Sequence, residues 1–164
     1  MSPVVNYFTG EKSESYLFLF LGMVGIAIGC YIFIEKCSSF WKGFAIPLIV
    51  VALLEIIVGG TLIYRSPKDI IRVENYILNE RSKILTDEIP RMEKVMRNFV
   101  IFRYTEIALM VMGILIYLAF AKFDLWKGLG LGLCIQACVV LTLDYFAESR
   151  GSIYLDYLNS VSHE

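Results

Sequence analysis

Five polar side chains interrupt stretches that are otherwise apolar: Glu55, Arg103, Glu106, Gln136 and Asp144. An ionised carboxylate in hydrocarbon costs roughly 2.5–3.5 kcal/mol or more, so each acid must stay protonated, find a partner or face water. Glu55 shares a helical face with Ala52 and Gly59, and Glu106 with Met110, Gly113 and Tyr117. The small residues make the Glu55 face narrow and point that acid into a bundle. Helical rise separates the two in depth by only about 6 Å. They could share a proton, bind a cation or find separate donors. Arg103 and Asp144 fall at similar depth near one boundary, so the expectation is a salt bridge between them, with Glu106 at i+3 a second partner for Arg103. Gln136 is a mid-span polar group on the last apolar stretch.

Other chemistry is sparse. Of Cys30, Cys37, Cys134 and Cys138, the last two are spaced i, i+4, as two metal ligands on one helix would be. The single histidine, His163, lies at the tail, so helix packing is expected of the pair rather than a metal site. The sequence carries no nucleophile elbow, zinc-protease motif, phosphate loop, dinucleotide fingerprint or CxxC pair. Neither a cofactor nor a metal is expected, and enzymatic activity is the less favoured reading. The stretch Arg72-Val73-Glu74-Asn75 resembles, over a handful of residues, the Arg–Asn–Glu cluster of small four-span glutathione-using membrane enzymes, where that cluster binds glutathione. The surrounding pattern differs, and no function is carried over.

The elements that must position these groups are four apolar stretches, about 16–34, 43–64, 99–121 and 126–146. Crossing a hydrocarbon core about 30 Å thick takes about 20 residues at ~1.5 Å of rise each, and all four suffice. The apolar content is 57% and the mean hydropathy +0.65, so the expected fold is an all-α integral membrane protein with four transmembrane helices in a single domain, 1–164. Residues 1–15 are polar, and no cleavable signal is expected. The net charge of -1 carries no nucleic-acid signature. Gly25 and Gly29 form one GxxxG and Gly128 and Gly132 another, marking helix-packing faces.

Orientation follows from Lys and Arg. Ten lie at the end that holds residues 12, 65–97 and 150, against four (Lys36, Lys42, Lys122, Lys127) at the other. The basic side is expected to be cytoplasmic, with both termini inside and short turns, 35–42 and 122–125, outside. The segment 66–98 reads as a cytoplasmic amphipathic helical hairpin. Ser66-Pro67-Lys68-Asp69 is a helix-start signal, Thr86-Asp87-Glu88-Ile89-Pro90 a second, and apolar residues recur at 70, 73, 77 and 84. The cytoplasmic tail 147–164 has a weak matching pattern and is expected to pack on it. The halves echo one another. Phe40-Trp41-Lys42-Gly43 matches Leu125-Trp126-Lys127-Gly128, and 24 residues after each Trp comes Arg65-Ser66 or Arg150-Gly151. This predicts two parallel two-helix repeats.

These features suggest a small non-enzymatic polytopic protein acting by helix–helix association with itself or a membrane partner, such as a regulator, assembly factor or immunity-type protein. A small oligomeric channel or proton-coupled transporter using Glu55 and Glu106 is the rival. A membrane enzyme acting on a lipid or thiol is third, and requires an open cavity near Arg103, Tyr104 and Glu106. Membrane lipid, a homo-oligomer or another membrane protein are the expected partners, and a bacterial inner membrane the expected location.

Overall fold

The computed structural model describes residues 3–35 and 38–162; Lys36, Cys37 and His163 lie outside them. Four long helices account for nearly all of the described chain: α1 Pro3–Ile34, α2 Ser39–Asn79, α3 Ile89–Ala119 and α4 Asp124–Ser162. All four are long and apolar enough to span a membrane. The 41 residues of α2 extend about 60 Å, twice the hydrocarbon thickness. The chain is therefore a multi-pass membrane protein whose helices run well past the bilayer at one end.

At that end the expectation of a separate hairpin is corrected. Segment 66–98 forms no independent element: its arms are the end of α2 and the start of α3. Proline 67 removes one backbone hydrogen bond without ending α2, and the buried Ser66 hydroxyl beside it donates to Leu62 O at 2.9 Å and lies 3.2 Å from Glu11. Ser66 thus braces a continuous helix rather than capping a new one. The reversal falls at residues 80–83, where the Lys83 amide donates to Glu80 O at 2.9 Å. The Lys83 ammonium, hydrogen-bonded to the Glu80 carboxylate, is held above its usual range. One π-helical turn, Ile84–Glu88, then leads into α3. Its Ile89 N–H donates to Ile84 O, so Pro90, which has no N–H, sits in the first turn of α3 where none is needed.

The two arms do not pack on each other; no Cα atoms of α2 and α3 approach within 8 Å. The start of α1 and the end of α4 lie between them. Val4, Tyr7 and Phe8 of α1 form one buried cluster with Val73, Ile84, Ile89, Met92, Tyr154 and Leu158. The Tyr7 and Tyr154 rings stack with centroids 4.3 Å apart, and Phe8 meets Tyr154 edge-on at 5.7 Å. Residues 3–15, polar as a whole, thus supply helical turns in which Val4, Tyr7 and Phe8 are almost completely buried. Each large side chain buried here contributes roughly 1.5–3 kcal/mol.

Within the apolar stretches the pattern inverts. Large side chains such as Phe20, Leu54, Ile57, Leu115 and Leu118 are exposed, and most buried positions are small: Gly22, Gly25, Gly29, Ala45, Ala52, Gly59, Gly113, Gly128, Gly130, Gly132 and Ala137 among them. Lipid solvates Leu as well as protein does, so helices associate there by close backbone approach. A Cβ on Gly22 would stand 2.7 Å from Ala52 O, on Gly25 3.0 Å from Ala52 Cβ, and on Gly132 2.7 Å from Phe44 O. A Cβ on Gly29 would overlap Ile49. Both GxxxG faces are therefore filled inside the chain. The helices pack in the order α1, α2, α4, α3, and α1 and α3 have no Cα atoms within 8 Å of each other.

Candidate functional site

The open side of this arrangement encloses a cavity of about 540 Å³, lined from all four helices. Tyr7, Glu11, Glu14 and Phe18 line it from α1, a single helical face at spacings of four, three and four residues. Glu55 and Arg65 line it from α2, Glu106 from α3, and Gln136, Asp144 and Arg150 from α4. Its remaining walls are largely apolar, with Leu54, Val58, Phe102 and Leu109 among them. Four of the five intramembrane polar residues singled out above, Glu55, Glu106, Gln136 and Asp144, open into this one space.

Arg103 does not join them. It pairs with Glu148, one turn beyond Asp144, on the outer face of α3 and α4. The Arg103–Asp144 bridge expected from depth is absent among the described ion pairs. Asp144 instead lies within hydrogen-bonding reach of Glu106. Tyr104, 69% exposed, also faces away. Of Arg103, Tyr104 and Glu106, near which the enzyme reading requires an open cavity, Glu106 lines this one.

The cavity's charges divide by depth. Toward the extended end of the helices the acids are paired: Glu11 with Arg65 at 3.1 Å, and Glu14 with Arg150. These pairs tie α1 to α2 and to α4. Arg65 also reaches Asp69 at 2.9 Å; Asp69 binds Arg72 at 2.8 Å; Arg72 reaches Glu88 at 3.4 Å. Glu88 is 1% exposed, accepts from Arg91 at 2.6 Å and from the Tyr154 hydroxyl at 3.0 Å. Arg72 is thus spent on structural carboxylates, and Asn75 bonds Glu80 and Asn79, which leaves the Arg72–Asn75 stretch bracing the turn.

Deeper in the bilayer the acids have no cation. Among the described residues, no Lys or Arg lies within ion-pair distance of Glu55, Glu106 or Asp144. Glu55 and Glu106 are each 7% exposed, and Glu106 Oε2 is buried with no hydrogen-bond partner. No described group of three or more His, Cys, Asp or Glu could hold a metal. Cys134 and Cys138 face Met110 on α3, with the Cys138 thiol 3.4 Å from Met110 Sδ.

The sequence reading missed the rim, Glu11, Glu14, Arg65 and Arg150, by treating these as charges in the cytoplasm. The face shared by residues 7, 11, 14 and 18 was the signal that could have found half of it.

Fold and site together define a four-helix membrane protein with an acidic intramembrane cavity. Comparison with protein-family models, curated proteins and solved structures gives no match.

Proposed function

We propose that this chain binds a small lipophilic cation in the intramembrane cavity and acts as a carrier-type transport protein. The observation that carries the reading is the opening of Glu55, Glu106 and Asp144, none with a cationic partner, into one space of about 540 Å³ with apolar walls. Ligand pockets of ~300–1,000 Å³ combine apolar walls with a few placed polar groups. Because α1 and α3 stand apart, the cavity is reached sideways from the bilayer, which favours an amphiphile over a hydrated inorganic ion.

A carrier fits better than a pore. Above the cavity α2 and α4 meet with no room for a side chain: a Cβ on Gly43 would overlap Leu125 O, and one on Gly128 would overlap Phe40 O. Residues 43 and 128 are 85 apart, as are 40 and 125, so the two contacts exchange under a pseudo-two-fold axis along the membrane normal. This reciprocity supports the parallel repeat, since isologous contacts are what a two-fold axis produces. Release to the far side requires α1–α2 to rock against α3–α4 about that contact. The basic, extended end is assigned to the cytoplasm of a bacterial inner membrane, with both termini there. A homo-oligomer or membrane partner would meet the lipid-facing surfaces, not the glycine faces.

The test is equilibrium binding of tetraphenylphosphonium to the protein in lipid nanodiscs. Saturable binding is expected, weakened at least tenfold by Glu55→Gln. No saturable binding to the folded wild-type protein would overturn the reading.

A further inference from the structure

Glu106 is more than nine-tenths buried, lines the cavity, and holds Oε2 without a partner. Its neighbour across the α3–α4 interface is Asp144, within hydrogen-bonding reach. Two ionised carboxylates accept hydrogen bonds and donate none, so such a contact needs a proton between them. Like charges that close, away from water, cannot both stay ionised.

The surroundings offer no substitute for that proton. From α1, Glu14 faces the pair and is bound to Arg150. Arg65 of α2 is committed to Glu11 and Asp69, and Glu55 of α2 adds a further acid to the same cavity. On α4, Glu148 also faces Asp144 and is bound to Arg103. Each nearby guanidinium already has its carboxylate. The two groups capable of balancing a charge on the pair are therefore a proton and a cation lodged in the cavity.

We infer that Glu106 and Asp144 form a proton-binding site whose proton is released to water when a cation enters the cavity, making the cavity a proton–cation exchanger. One positive charge enters and one leaves, so the site keeps the same net charge of one negative in both states: two carboxylates sharing a proton, or two carboxylates beside a cation. Exchange of this kind couples cation movement in one direction to proton movement in the other. The inference rests on the functional reading above for its cation, but not for its proton.

Two measurements separate these. Infrared spectra of the unliganded Glu55→Gln protein in lipid, in which Glu55 can add no band, are expected to show a protonated-carboxyl stretch near neutral pH, lost when Glu106→Gln or Asp144→Asn is added and kept when Glu93→Gln, at an exposed site, is added. A pH titration of that band in the Glu55→Gln protein reads the same site if either further variant misfolds. Adding tetraphenylphosphonium in weak buffer is then expected to release about one proton per cation bound. Absence of the band, or its survival in both folded variants, overturns the proton site whatever the cation result. A band present with cation binding but no proton release overturns the exchange and leaves the binding reading standing. A band present with no cation binding overturns the functional reading and the exchange together.

Discussion

Replacing single glycines by alanine tests the packing from which the cavity is built. Four positions form a series graded by the space available. At Gly60 an added Cβ meets nothing within 4 Å; at Gly25 it stands 3.0 Å from Ala52 Cβ; at Gly130 it stands 2.6 Å from Gly113 O and 2.7 Å from Tyr117 N; at Gly128 it overlaps the carbonyl of Phe40. Alanine gains about 1 kcal/mol of helix propensity over glycine at each. Real Cβ atoms keep at least 3.0 Å, so Gly130→Ala forces α3 and α4 apart by roughly 0.4 Å, and overpacking of this kind costs about 1–3 kcal/mol. The net expectation is a gain of about 1 kcal/mol for Gly60→Ala, near zero for Gly25→Ala and a loss of about 1 for Gly130→Ala. Gly128→Ala should lose most, about 2 kcal/mol or more, because its overlap with the Phe40 carbonyl is far deeper and, as at Gly130, falls on backbone that cannot rotate away. Circular dichroism during titration from mild detergent into SDS measures the series. Equal stability of Gly128→Ala and Gly60→Ala, or a scrambled order, would refute close backbone packing as the source of this stability.

Further outcomes follow from the same structure. Tyr154→Phe removes the donor to Glu88 and should lower stability by about 1.5 kcal/mol in the SDS titration; Glu88→Ala strands Arg91 and should lose about 3–5, and no loss in either would remove the buried network from the account. Arg103→Gln breaks a half-exposed pair outside the cavity, so it should change stability by less than about 1 kcal/mol and leave tetraphenylphosphonium binding intact; loss of binding in the folded variant would place Arg103 in the site. Gly25→Leu and Gly29→Leu should destabilise the monomer without changing oligomeric state by light scattering, whereas conversion of a folded dimer to a folded monomer would turn these faces outward. Tetraphenylphosphonium affinity should rise with pH as the Glu106–Asp144 pair loses its proton and gains negative charge, and flatten in Glu106→Gln; affinity that falls with pH in the wild-type protein contradicts the sign.

Much of this was legible in the residues themselves. The four spans follow from length and hydropathy, because lipid leaves a backbone few ways to satisfy its hydrogen bonds other than a helix about twenty residues long. The side-by-side small residues marked where helices would touch. What the chain alone did not determine was which acid meets which. Helical rise places Arg103, Glu106 and Asp144 near one level, but the rotation of α3 against α4 sends Arg103 outward to Glu148 and turns Glu106 to Asp144. Nor did it reveal that α1 begins at Pro3, since a polar average hides three apolar residues that only a neighbouring helix can bury. Separation along one helix is a local property of covalent geometry; azimuth, partner and enclosed space arise only when several helices pack, so the cavity belongs to the tertiary structure.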